Sequence, residues 1–244
     1  MARGLAYVGT SGWHYQHWVG PFYPPGLAPA AFLPYYSVRF RSVEIDSTFY
    51  RLPTQTAVER WRDETPDDFV FSCKASRYIT HMKRLKDPRV SSQRFLTVIK
   101  GLGHKLGPIL FQLPPHWEVN TKRLAAFLDA LPGGHRFAFE FRNGTWFTPV
   151  VCRLLESAHA AFCIYDLDRR QSPVKVTADF AYLRLHGPDG PYGGCYDDQA
   201  LRRWAMRCIA WREAGLDVFC YFDNDEAGYA AQNAATLRRM MGGQ

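Results

Sequence analysis

Glu44 and Asp46 stand two residues apart in Val43-Glu44-Ile45-Asp46-Ser47-Thr48-Phe49-Tyr50-Arg51-Leu52-Pro53, where a short strand pattern runs into a polar and aromatic loop. Alternate residues of a strand face opposite sides of a sheet, so both carboxylates point away from the apolar layer of Val43 and Ile45. Six other strand-like segments end in groups that can do chemistry. In one, Val70, Ser72 and Lys74 alternate with Phe69, Phe71 and Cys73; in another, Ala138, Glu140 and Arg142 alternate with Phe137, Phe139 and Phe141. Tyr182, Arg184 and His186 form a third row, and Gln112, Asp166 and either Asp223 or Asn224 end three more.

Brought together, Glu44, Lys74, Glu140, Arg142, Arg184 and His186 would crowd both signs of charge into one space, where neighbours move pKa values toward the range useful for proton transfer. The expected catalytic set is Glu44, Glu140 and His186 as general base and acid. Lys74, Arg142 and Arg184 would grip an anionic substrate, with Thr10, Trp13, Gln112 and Tyr221 as further substrate contacts. A divalent metal held by Asp166 and Asp223 together with Glu140 and His186 is a secondary expectation, which the interleaved arginines oppose. No other cofactor is implied. The plain structural reading is that charges at a rim merely pair with one another.

Positioning such a set needs eight short strands, and eight segments rich in β-branched and aromatic residues are found at 6–10, 42–46, 69–74, 108–113, 136–142, 161–166, 180–186 and 217–223. Stretches with helical spacing lie between most of them, at 54–63, 91–104, 121–131, 149–159, 197–214 and 226–241. Thr121 and Asp197 or Asp198 suit N-caps, and Gly103 and Gly215 suit helix ends. Alternating strands and helices over 244 residues predict one (β/α)8 TIM-type barrel spanning residues 1–244, since single barrels of ~250 residues are common. An open dinucleotide-binding sheet is disfavoured, because Gly9-Thr10-Ser11-Gly12-Trp13 lacks the third glycine of the phosphate fingerprint.

No apolar run approaches the ~18 residues of a membrane span, and no signal peptide is visible, so a cytoplasmic protein without membrane attachment is expected. Six cysteines without C-x-x-C spacing read as free thiols. The formal charge of +7 is concentrated: between residues 74 and 94, seven basic residues face the single acid Asp87. That segment is either a solvated face or an anion-attracting patch. An aromatic loop after the first strand (Trp13, His14, Tyr15, His17, Trp18, Phe22, Tyr23) can plug the barrel or stack a sugar or base. The glycine-rich loop from Gly187 to Gly194 follows the seventh strand, a place where barrels often bind phosphate.

Several of these segments, in order, resemble the YecE-like family, also called domain of unknown function 72. They are Val8-Gly9-Thr10-Ser11-Gly12-Trp13, Val43-Glu44-Ile45-Asp46-Ser47-Thr48-Phe49-Tyr50, Ile79-Thr80-His81, Gln112-Leu113-Pro114-Pro115, Phe139-Glu140-Phe141-Arg142 with Trp146, Arg184-Leu185-His186-Gly187 and Tyr221-Phe222-Asp223-Asn224. The resemblance implies a TIM-type barrel related to the xylose isomerase-like group and implies no settled activity. The chain departs from the family pattern at Asp46, where Asn is common, and at Cys195, where a basic residue is more usual.

Three functions follow as expectations. The first is an isomerase-like or hydrolytic enzyme that performs acid–base chemistry on a phosphorylated or otherwise anionic, sugar-containing molecule. Glycoside hydrolysis fits less well, because the fourth and seventh strands end in Gln112 and His186 rather than carboxylates. The second is nucleic-acid binding or phosphodiester processing through the basic segment 74–94. The third is a non-catalytic scaffold; Trp204 and Trp211 would then mark an interface unless their shared helical stripe packs on the barrel. Oligomeric state is left open.

Overall fold

The computed structural model describes residues 2–243. Eight parallel strands form a nearly closed barrel: β1 (Ala6–Thr10), β2 (Ser42–Ile45), β3 (Val70–Lys74), β4 (Leu106–Leu113), β5 (Phe137–Phe141), β6 (Ala161–Leu167), β8 (Phe180–Leu185) and β9 (Asp217–Phe222). β7 (Arg170–Gln171) is a two-residue strand folded back antiparallel on the end of β6. The helices are α1 (Phe32–Ser37), α2 (Gln55–Asp63), α3 (Pro88–Ile99), α4 (Thr121–Ala130), α5 (Pro149–Ser157), α6 (Asp198–Glu213) and α7 (Tyr229–Met240). The (β/α)8 expectation holds, with the β7 hairpin standing where a helix would join β6 to β8.

Strand parity sets two separate apolar layers. Leu110, Ala138, Ala161, Cys163, Phe180, Tyr182, Phe219 and Tyr221 pack on one another inside the barrel. Their neighbours along each strand, such as Phe71, Phe111, Phe139, Phe162, Leu183 and Cys220, pack outward against the helices. Each such buried side chain contributes roughly 1.5–3 kcal/mol, so a one-residue slip in any strand would be heavily penalised. All six cysteines are free thiols. Trp204 is buried and Trp211 packs beside the same core, as their spacing of one helical stripe requires.

Local signals explain most boundaries. Asp197 caps α6 by accepting the Ala200 amide at 2.6 Å. Asn120, rather than Thr121, caps α4 by accepting from Arg123. The expected helix over 91–104 begins earlier, at Pro88, and is α-helical only to Ile99; beyond it the chain tightens into a 3-10 turn, within which Gly103 adopts φ 59°. α1 escaped the sequence pattern because it is only six residues long with Pro34 inside its first turn. No helix among the described residues is long and apolar enough to cross a membrane.

The barrel wall is thin in two places. β5 and β6 are in register only at Ala138 with Ala161 and Phe139 with Phe162. β1 and β2 meet through a single bridge between Ser11 and Glu44, with the Gly12 amide donating to the Glu44 carbonyl at 2.8 Å. Tyr36 reinforces this seam: its hydroxyl accepts from the Thr10 amide at 2.9 Å and donates to the Ser42 carbonyl at 3.1 Å. A side chain at Gly9 would run into the Ser42 carbonyl and the Tyr36 hydroxyl. Gly9→Ala is therefore expected to cost on the order of 3 kcal/mol, read as a lowered urea midpoint, because backbone there has no room to give.

Candidate active site at the C-terminal mouth

Arg184, inward-facing at the end of β8, organises the mouth. Its Nε donates to Glu44 at 3.0 and 3.2 Å, and Nη2 reaches Glu44 and Asp223 at 2.8 Å each and Ser11 Oγ at 3.1 Å. Its Nη1 reaches Glu140 at 3.0 Å and His186 Nε2 at 3.4 Å. All three guanidinium nitrogens are engaged, so Arg184 keeps no donor for a substrate. Glu44 is equally saturated, since Ser11 Oγ donates to it at 2.5 Å and the Tyr182 hydroxyl at 2.6 Å. Glu140 takes Arg142 Nε on its other oxygen. Glu44, Glu140, Arg184 and His186 are all buried. Breaking one partner from such a network typically costs ~3–5 kcal/mol.

The electrostatics follow from this packing. Burial alone would raise the Glu140 pKa, but Arg142 and Arg184 outweigh it and hold the carboxyl well below the usual range. At Asp223 burial is likewise overcome, by Arg184 and then His186, and the value falls to about 2. Burial and Arg184 push His186 down to about 4, with Asp223 opposing. His186 Nε2 lies 3.1 Å from Arg142 Nη2 and must accept, so the proton sits on Nδ1. That Nδ1 is 2.9 Å from Asp223 Oδ2 but poorly aligned for a hydrogen bond, a close approach rather than a made bond.

Above this saturated floor stand groups with spare capacity. Lys74 is 9% exposed and, among the described residues, forms no hydrogen bond through its ammonium and no ion pair within 4.0 Å. Its Nζ lies 4.6 Å from the centre of the Phe49 ring. Burial and then Arg184 lower its pKa, against the pull of Asp223, Glu140 and Glu44. Asp46, just beyond β2, is raised to about 6 by burial, Asp223 and Glu44. His81 meets the edge of the Phe49 ring and shares Nδ1 with Thr80 Oγ1 at 2.9 Å. Burial, then Lys74, Arg77 and Arg142, lower the His81 pKa and favour its neutral form. Arg142 lies over the Tyr165 ring, and Tyr192, with φ 67° on the glycine-rich loop, stands edge-on to His186.

A cavity of about 540 Å³ adjoins the cluster and meets it at Asp46; Trp13, Tyr15, Tyr50 and Trp61 provide its aromatic walls. Of the expected residues, Glu44, Lys74, Glu140, Arg142, Arg184, His186 and Asp223 converge, and Asp223 rather than Asn224 is the member from β9. Asn224 instead bonds the Gly194 carbonyl and Asn233. Gln112 is half-buried, level with Glu140 across the sheet.

Three expected residues lie elsewhere. Thr10 has the opposite parity to Ser11 and bonds Gly12 and Tyr36 behind the wall. Asp166 has the opposite parity to Tyr165 and pairs with the Tyr196 hydroxyl. Tyr221 is sealed one layer below, bonded to Ser42. The metal expectation finds no donor set: among the described residues no group of three or more His, Cys, Asp or Glu side chains is arranged to hold an ion. The carboxylates converge on a guanidinium instead. Sequence reasoning missed Ser11 and Tyr182 as partners of Glu44, and His81, which sits in a turn after β3 where no periodicity gives a direction.

The Asp46 shift has a measurable sign. Between 3.8 and about 6 the folded protein retains a proton that the unfolded chain releases, so this residue weakens folding as pH rises through that window. Asp46→Asn is expected to match the parent near pH 4 and to exceed it by on the order of 2–3 kcal/mol at pH 7.5, compared by urea denaturation. A difference independent of pH would show that Asp46 is not held this way.

The model of the family described as "Protein of unknown function DUF72" matches residues 7–244. UPF0759 protein YunF of Bacillus subtilis is 27% identical over 97% of this chain and 95% of its own length. UPF0759 protein YecE of Escherichia coli K12 is 32% identical over 59% of this chain and 50% of its own. Among solved structures, a DUF72 family protein from Thermotoga maritima superposes with a TM-score of 0.87 at 28% identity, covering 98% of this chain and 99% of that one. A second, from Enterococcus faecalis, reaches 0.81 at 17% identity over 98% and 96%, which speaks for the fold. The chain belongs to the DUF72 family.

Proposed function

We propose that this protein is an enzyme performing acid–base chemistry on a small anionic, sugar-like molecule at the C-terminal mouth of its barrel. The observation that carries the reading is Lys74: a buried residue whose ammonium has, among the described residues, neither a hydrogen bond nor a counter-ion, beside a network in which Arg142 and Arg184 both pair with carboxylates. A buried cation without a partner is costly, and an anionic ligand supplies the missing partner. Lys74 and the Nη1 edge of Arg142 receive the anionic group, and Gln112 offers an amide beside them.

In this reading proton transfer falls to Asp46 and His81. Glu44 and Glu140 are saturated, His186 is held neutral with Nε2 taken up by Arg142 and Arg184, and all three act as supports. Asp46 titrates near 6, and burial with the nearby cations lowers the His81 pKa and favours its neutral form, so the first can release a proton close to neutrality and the second offers a free base. The aromatic cavity beyond Asp46 takes the apolar face of a sugar ring.

A second reading, nucleic-acid binding, is favoured by the exposure of Arg77, Arg84, Lys86, Arg89 and Arg94 beside the exposed Tyr78 on one edge of the mouth. It predicts affinity for single-stranded DNA that falls steeply with salt and is lost in Arg84→Glu/Lys86→Glu; salt-insensitive or absent binding removes it.

The enzyme reading predicts that inorganic phosphate raises the melting temperature and that Lys74→Met weakens phosphate binding at least tenfold, measured by calorimetric titration. Lys86→Met, on the exposed surface, is expected to leave it unchanged. Because Lys74 is unpaired, Lys74→Met should itself fold at least as stably as the parent. Equal phosphate affinity in Lys74→Met and the parent would sink the assignment.

A further inference from the structure

We propose that Lys74 is an amine nucleophile that forms an imine with an aldehyde or ketone bearing a phosphate or carboxylate group. This rests on the reading above and deepens it. The cations of the barrel mouth differ in how they are partnered. Arg184 is bound to three carboxylates, and Arg142 is bound to Glu140 and His186. A lysine serving structure alone would be expected to pair in the same way, since the charges of Asp223, Glu140 and Glu44 all act on it and the side chain is flexible. Among the described residues, Lys74 has no such partner. It stands over an apolar ring, at the inward end of β3, abreast of Asp46 across the strand register of Ile45 with Cys73.

That environment makes the ammonium easier to deprotonate, because burial and then the nearby Arg184 charge lower its pKa. The remaining groups fit the steps that follow. The amine lone pair adds to the carbonyl carbon, forming a C–N bond, and the nitrogen gives up a proton as the oxygen gains one; the product is a carbinolamine. Water then leaves: the hydroxyl takes a proton from the Asp46 carboxyl or from His81 after it has been charged, and the nitrogen pair closes the C=N bond. Nothing is oxidised or reduced. The iminium cation that results faces Asp223, Glu140 and Glu44, whose fields favour positive charge at this nitrogen.

An iminium weakens the adjacent C–H bond, and neutral His81, in the tautomer that donates its Nδ1–H to Thr80 Oγ1, presents Nε2 as the base that takes that proton. The chemistry reached in this way is enolisation next to a carbonyl, the step shared by isomerisation, dehydration and aldol cleavage. Arg142 keeps the anionic group while Lys74 is covalently occupied.

The test is reductive trapping. The purified protein is incubated at pH 7.5 with glyoxylate, pyruvate or dihydroxyacetone phosphate, then sodium cyanoborohydride, and adducts are located by peptide mass spectrometry. The expected result is an adduct on Lys74 at least tenfold above that on any exposed lysine, suppressed by inorganic phosphate and absent in Lys74→Arg, which keeps the charge but not the nucleophile. His81→Gln, as a positioning and proton-transfer variant, should slow trapping at least tenfold while leaving phosphate affinity within twofold. If phosphate binds and is lost in Lys74→Met but no Lys74 adduct forms, the imine is overturned and the anion site stands. If neither phosphate nor any probe engages Lys74, both fall.

Discussion

One guanidinium holds this barrel mouth together. Arg184 is carried by β8, yet its partners Glu44 and Glu140 belong to β2 and β5, the strands that border the two thinnest parts of the wall. Where the backbone ladder between β1 and β2 shrinks to one bridge, and that between β5 and β6 to two residue pairs, charge-assisted bonds through the interior replace it. The cost of burying so many charges is bearable because each carboxylate meets at least one donor at ordinary hydrogen-bond distance, with Ser11 and Tyr182 taking up the lone pairs that remain.

Saturation of the floor is what gives the upper layer its character. Glu140 and Asp223 are held ionised and His186 neutral by the same arginines, so none of them is free to change state near neutral pH. Asp46, Lys74 and His81 sit one layer higher, where burial still matters but partners run out. Perturbed titration without a satisfying partner is the physical mark of a group kept for a ligand or a reaction, whereas perturbed titration within a closed network marks a group kept for architecture.

Much of this arrangement was legible in the sequence. Alternation in Val70-Phe71-Ser72-Cys73-Lys74 and in Ala138-Phe139-Glu140 separates inward from outward side chains without ambiguity, because the outward residues are phenylalanines or a cysteine and the inward ones small or charged. The same rule fails where both sides carry rings. Tyr165, whose ring lies under Arg142, and Tyr221 face inward beside Asp166 and Phe222, so bulk gives no direction: Asp166 turns to the other face, and the sequence alone does not choose between Asp223 and Asn224. Thr10 misled for another reason: the residue that serves the site, Ser11, lies one past the strand end. What no pattern discloses is stoichiometry. Residue types show that Arg184 and Glu44 converge, but only coordinates show that every donor of the first is spent, which removes it from any role in gripping a substrate.

The two thin seams have a mechanical corollary. A wall sewn by full ladders has a fixed girth, but here the halves β2 to β5 and β6 to β1 are braced across the lumen by a knot of charge around Arg184 and by the hydroxyls of Tyr182 and Tyr221, over a plug of interlocked rings that these two form with Phe219. Any event that alters the ionic balance at the rim therefore also alters the tension that keeps the two halves drawn together.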